Sequence, residues 1–133
     1  MLTTQMQIVA LYAGINALIL LLLSLWVVRA RQTHKVGIGD GGNPALLRAQ
    51  RAHGNAAEYI PIVLVLMLAL AGLKVSSLLL HAIGLALTFG RLLHGIGLNQ
   101  SSGVSVGRAL GIVLTWAALL VGALACIYYA LAV

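Results

Sequence analysis

From Met6 to Val28 the chain carries no charged side chain, and at about 1.5 Å per residue a helix of that length crosses a hydrocarbon core of about 30 Å. Lipid offers no water to hydrogen-bond a bare amide, so such a segment must satisfy its backbone internally, as a helix does. Three more apolar stretches follow: Tyr59 to Leu73, Leu78 to Leu93, and one from Arg108 to about Ala132. Charged residues make up 8% of the sequence and hydrophobic ones 62%, whereas soluble domains carry about 25% charge. The expectation is one all-α domain over residues 1–133, an integral membrane four-helix bundle whose helices pack against each other in lipid.

The first stretch is expected to stay in the protein. Met1-Leu-Thr-Thr-Gln-Met-Gln lacks a basic leader region, and no small-residue cleavage site follows Trp26-Val-Val-Arg29. Residues Arg29 to Asn43 read as a first loop, ending in Gly37-Ile-Gly-Asp-Gly-Gly-Asn-Pro44. These glycines do not make a phosphate cradle, because no Lys-Ser/Thr follows and no strand precedes. Asn43-Pro44 reads instead as a cap with proline at the first helical position, starting a second helix from Pro44 to Leu73. Its uncharged part is only about 22 Å long, so the turn from Asn55 to Glu58 is expected at or inside the lipid boundary. Pro61 lacks an amide donor, which predicts a bend or a loosened turn just beyond Glu58.

Lys74-Val-Ser-Ser reads as a tight turn. Arg91, His94, Gly95 and Gly97 are expected to close the third helix, Asn99-Gln-Ser-Ser-Gly-Val-Ser to form a third loop, and Arg108 to open the fourth helix. Gly84, Ala86, Gly90, Gly107, Gly111 and Gly122 allow close helix contact.

The net charge of +6 suggests nucleic acid until the positions are read. The cations lie at segment ends, without the aromatic platforms or exposed stripes that nucleic-acid binding needs. Arg29, Arg31, Lys35, Arg48, Arg51, Arg91 and Arg108 share one end of the bundle and Lys74 marks the other, which places loops one and three in the cytoplasm and both termini outside. Cys126 is the only cysteine and sits within an apolar helix, where it reads as a small hydrophobe. The four histidines show no metal-ligand spacing, and His81 reads as a hydrogen-bonded packing residue. Tyr12, Tyr128, Tyr129, Trp26 and Trp116 read as interface-belt or packing aromatics.

Glu58 is the sole glutamate. Arg51, Asn55, Glu58 and Ile62 fall at i, i+4, i+7 and i+11 on one helical stripe, which Arg48 extends toward water. Arg91, His94 and Arg108 approach from the facing ends of helices three and four. A carboxylate at a membrane boundary marks a functional site by default. Arginine forks suit the carboxylates of a small zwitterionic or anionic ligand, and Glu58 suits an ammonium. The residues leave open a second role, in which Glu58 pairs with Arg51 or Arg91 as an interhelical clip.

The segment Arg51-Ala-His-Gly-Asn55-Ala-Ala-Glu58-Tyr59-Ile-Pro61, with Gly-Asp-Gly-Gly-Asn-Pro before it and Gly90-Arg91-Leu-Leu-His94-Gly after it, resembles the MAPEG family, membrane-associated proteins of eicosanoid and glutathione metabolism, and its small bacterial members above all. The resemblance covers nearly the whole chain. It implies a homotrimer in a bacterial inner membrane, with glutathione bound between subunits near the cytoplasmic face. It implies glutathione contacts from Arg51, His53, Asn55, Glu58 and Tyr59, from Arg29 or Arg31 at the end of helix one, and from Arg91 and His94. Arg51 would be the residue acting on the thiolate. The implied reaction is a glutathione S-transferase or peroxidase reaction on an apolar electrophile arriving through lipid, with glutathione as co-substrate and no metal.

Two departures bear on catalysis. Eicosanoid-forming members carry tyrosines three and seven positions after the arginine matching Arg91, where this chain has His94 and Leu98. They also carry a thiol-activating arginine in the third loop, and none lies between Asn99 and Gly107; Arg108 matches a later, structural arginine. Two other readings therefore stand beside the enzyme: a small drug or proton-coupled transporter built on Glu58, and a family member that binds without catalysis.

Overall fold

The computed structural model describes residues 4–100 and 103–132. It has four helices, α1 (Thr4–His34), α2 (Pro44–Gly72), α3 (Ser77–Gln100) and α4 (Val106–Leu131), each long and apolar enough to cross a membrane. The side-chain pairs fix their directions. Asn16 bonds Thr88, so α1 and α3 run the same way, and Tyr59 bonds Trp116, so α2 and α4 run together against them. Among the described residues every pair of helices packs except α1 with α4.

Helix boundaries differ from the sequence reading in two places. The first loop was expected from Arg29, yet α1 continues to His34, because nothing from Arg29 to His34 breaks a helix; Lys35, at φ 56°, ends it. The third helix was expected to close around Gly95 and Gly97, yet α3 runs through both to Gln100. These glycines serve packing. A Cβ at Gly97 would lie 2.6 Å from the Arg108 amide nitrogen, so α4 can begin there only against bare backbone. Ser101 and Ser102 of the expected third loop lie outside the described residues.

Local chemistry accounts for the connections. Asn43 caps α2, accepting from the amides of Ala45 and Leu46 at 2.9 and 3.0 Å, with Pro44 in the first turn. Arg31 Nη1 donates to the carbonyls of Val36, Gly37 and Gly39, and Gln50 also donates to Gly39. Ser105 caps α4 on the Arg108 amide. Pro61 lies within a continuous α2.

The core runs from Tyr12 and Val63 through Met67, Leu70, Leu80 and Ile83 to Leu87 and Ala118. A smaller cluster of Ala30, Leu46 and Ala49 closes the end of the α1–α2 pair next to the first loop. Large apolar residues such as Leu18, Leu22, Leu120 and Leu124 are exposed, as lipid-facing residues are in a membrane bundle. Tyr12 and His81 Nδ1 share a hydrogen bond of 2.9 Å, and Asn16 Nδ2 donates to Thr88 Oγ1 at 3.0 Å, while Asn16 Oδ1 has no partner among the described residues.

The tightest seam joins α3 to α4. A Cβ at Gly111 would stand 2.5 Å from the His94 amide nitrogen and 2.6 Å from the Gly90 carbonyl, both backbone atoms that cannot rotate aside. Gly111→Ala is therefore expected to cost about 1–3 kcal/mol of stability, read as a lowered thermal midpoint in detergent. Gly14→Ala, with nothing within 4 Å of the added carbon, is expected to be neutral or to gain up to about 1 kcal/mol in helix propensity. Equal effects at both positions would count against a seam held by backbone contact.

Candidate functional site

Arg91 organises the region where α2, α3 and α4 meet. Its side chain is only 2% exposed. Nε and Nη2 donate to Thr115 Oγ1 at 2.9 and 2.6 Å, while Nη1 makes a short bond to Asn55 Oδ1. The guanidinium carbon also stands 5.5 Å from the centre of the Tyr59 ring, a cation–π distance. Thr115 passes its own proton back to the Gly111 carbonyl at 2.9 Å, so its oxygen is oriented to accept from Arg91. Glu58 takes no part in this cluster, and the clip is made by an amide and a hydroxyl instead of a carboxylate.

Beside the cluster lies a cavity of about 500 Å³ between α2 and α4, closed by the end of α3. Arg48, Arg51, Asn55 and Tyr59 enter it from α2, His94 from α3, and Arg108 from α4. Leu98, Val104, Ile112 and Trp116 form apolar wall, and Trp116 Nε1 donates to the Tyr59 hydroxyl at 3.0 Å. The cavity thus receives cations from both α2 and α4 beside apolar side chains that fit hydrocarbon. Arg48 Nε is buried without a hydrogen-bond partner among the described residues, and a buried donor of that kind calls for an acceptor.

The sequence-derived residues divide into three groups. Arg51, Asn55, Tyr59 and His94 line the cavity, and Arg91 holds two of them in place. Glu58 is exposed on α2 and does not line the cavity. Helix geometry explains this: at about 100° per residue, Arg48, Arg51, Asn55 and Tyr59 fall within an arc of about 80°, and Glu58 lies about 20° past Arg51, outside that arc. His53 is half-buried on another face of α2. At the end of α1 the two arginines separate: Arg31 is committed to the carbonyls of the first loop, while Arg29 is exposed and lines no part of the cavity.

Trp116 and Ser105 also line the cavity, and neither stood out in the sequence as a site residue. Trp116 reads there as a belt aromatic, and only the pairing of α2 with α4, ten residues into α4, turns it toward Tyr59. Arg108, set aside as structural by the family comparison of motifs, is a cavity residue here; its Nη1 donates to the Gly103 carbonyl at 3.1 Å.

The family profile described as MAPEG matches residues 9–128. The chain belongs to the MAPEG family. Over 120 residues it is 42% identical to the inner membrane protein YecN of Escherichia coli strain K12, covering 90% of each chain, and it matches YecN of Escherichia coli O6:H1 strain CFT073 to the same extent. No solved structure matches it. In this MAPEG chain the region between Arg51 and Pro61 thus supplies both the cavity wall and the partners of Arg91.

Because buried Thr115 is the acceptor for two Arg91 donors, Thr115→Val is expected to destabilise the protein by about 1–3 kcal/mol, and Thr115→Ser to restore most of that. Thermal unfolding in detergent checks both; a Thr115→Val protein as stable as the parent would mean that Arg91 is held by Asn55 and Tyr59 alone.

Proposed function

We propose that this MAPEG protein binds glutathione in the cavity between α2 and α4 and uses it as co-substrate in a transferase or peroxidase reaction on apolar electrophiles. The observation that carries this reading is the cavity's composition: Arg48 and Arg51 from α2 and Arg108 from α4 line the same space as the apolar residues Ile112 and Trp116. Glutathione has two carboxylates, which arginine forks bind bidentately, and Arg48 Nε is a donor in want of an acceptor. Asn55 can serve the peptide groups. Cations around the sulfur favour the thiolate over the thiol, and the thiolate is the nucleophile.

In the transferase reaction the thiolate sulfur bonds to an electrophilic carbon, whose leaving group departs with the electron pair. In the peroxidase reaction the sulfur attacks a peroxide oxygen and releases the alcohol, after which a second glutathione reduces the sulfenic product to glutathione disulfide and water. Arg51 and Arg108 are the residues placed to stabilise the thiolate.

The same reading includes a homotrimer in a bacterial inner membrane, with loops one and three cytoplasmic and both termini outside. The relatives named as inner membrane proteins support the location, and the cluster of cations at one end of the bundle supports the orientation. Exposed Glu58 supports assembly, because a carboxylate facing hydrocarbon is costly and a neighbouring copy would cover it. A subunit contact on that face would also bring Glu58 and Arg29 to bear on the ligand.

One observation favours a second reading. Glu58 is exposed on a membrane helix and has no ion pair among the described residues, the placement a proton-coupled transporter requires. Efflux from proteoliposomes that depends on Glu58 and ignores glutathione would support it over the enzyme. Retained glutathione binding with no turnover of a reactive apolar electrophile, against a glutathione-free control, would support a binding protein.

Titration calorimetry of the detergent-solubilised protein is expected to show glutathione binding at about millimolar strength or tighter. Arg51→Ala and Arg108→Ala should each weaken it by about ten- to a hundredfold, as loss of a hydrogen bond between charged groups does. Unchanged affinity in both variants would remove this cavity as the binding site.

A further inference from the structure

The cavity is ordered along its length. On α2, Arg51, Asn55 and Tyr59 recur every fourth residue, and on α4 Arg108, Ile112 and Trp116 do the same. The two helices run together, and the bond from Trp116 Nε1 to the Tyr59 hydroxyl, 3.0 Å long, sets their register. Each helix therefore places an arginine at one level and an aromatic residue about 12 Å further along. Cations hold one end of the space, and the Tyr59–Trp116 pair holds the other.

We infer that Tyr59 is the acid that protonates the departing oxygen of the second substrate, a role that rests on glutathione being the bound nucleophile. The cavity then favours hydroperoxides over electrophiles with a halide leaving group. The indole N–H of Trp116 can only donate, so it fills an acceptor position on the Tyr59 oxygen and turns the phenolic proton to the other side. Tyr59 itself donates to no acceptor among the described residues. Its ring is held against the Arg91 guanidinium, 5.5 Å from the ring centre. Other donors of the cavity are unsuited to giving up a proton: arginine keeps its own, Asn55 is an amide bonded to Arg91, and Ser105 caps α4. Among the described lining residues His94 is the other group able to exchange a proton.

The thiolate sulfur, held toward the arginine end, attacks the terminal oxygen of a hydroperoxide whose apolar body lies at the aromatic end. An S–O bond forms as the O–O bond breaks, and the electron pair goes to the carbon-bound oxygen, which takes the Tyr59 proton and leaves as the alcohol. The phenolate is reprotonated by the thiol of the second glutathione. That sulfur then displaces hydroxide from the sulfenic product, giving the disulfide, and the hydroxide leaves as water with the proton the first glutathione released on ionising.

Turnover of cumene hydroperoxide and of chlorodinitrobenzene by one protein separates the two kinds of departure, because an alkoxide needs a proton and chloride does not. Tyr59→Phe is expected to lower the ratio of hydroperoxide to chlorodinitrobenzene kcat/KM about thirtyfold or more, and its remaining chlorodinitrobenzene turnover shows that it is folded. Trp116→Phe keeps the acid but loses the bond that orients it, and is expected to lower the same ratio about fivefold. An unchanged ratio in Tyr59→Phe would overturn the role, and so would a larger fall in His94→Gln than in Tyr59→Phe. A parent active on chlorodinitrobenzene alone would overturn it while leaving the transferase. A parent that binds glutathione yet turns over neither compound would remove the activity, and the role of Tyr59 with it.

Discussion

The burial of Arg91 is the constraint on which the cavity-bearing half of the bundle depends. A guanidinium in a dry interior must have its donors satisfied by protein, and here that requirement draws three helices to one point. Asn55 comes from α2, Thr115 from α4, and the Tyr59 ring offers its face. Thr115 can reach only because Gly90 and Gly111 let α3 and α4 touch backbone to backbone. The small residues of one seam and the polar residues of another are therefore parts of a single arrangement. Satisfying Arg91 also fixes Asn55 and Tyr59, which puts Arg48 and Arg51, within two turns on the same arc, over the cavity.

α2 consequently carries two chemistries on neighbouring faces. One presents cations and amides to an enclosed space, and the other presents Glu58 outward. Separating the carboxylate from the arginines leaves the cavity lined by cations, which suits an anionic guest.

Much of the fold is legible in the sequence, because lipid removes most alternatives: an uncharged run of sufficient length must be a helix, and Asn43-Pro44 announces where α2 begins. Boundaries read from polarity or glycine were less reliable. Arg29 to His34 are polar yet helical, since polarity alone does not end a helix, and Gly95 and Gly97 pack where they were expected to terminate. For the cavity, spacing pointed to α2 and to several of the residues that line it. It could not say which part of a broad stripe faces the cavity, because Arg51 and Glu58 differ by only about 20° around the axis, and the rotation of α2 is set by its neighbours. Trp116 was illegible as a site residue for the same reason, since its meeting with Tyr59 depends on the offset between two helices that are distant in the chain. The two arginines ending α1 were ambiguous until the first loop showed Arg31 occupied by three carbonyls.

The backbone contact between α3 and α4 has a bearing on how the cavity exchanges its contents. Two helices meeting backbone to backbone through Gly90, Gly97 and Gly111, and tied by the Arg91–Thr115 bonds, resist relative sliding and form one wall. The opposite wall is the portion of α2 before Pro61, where the ladder of backbone hydrogen bonds lacks a rung. The missing rung makes the turn at Pro61 the least costly place for that wall to bend, and the Asn55–Arg91 bond ties the segment before it to α3.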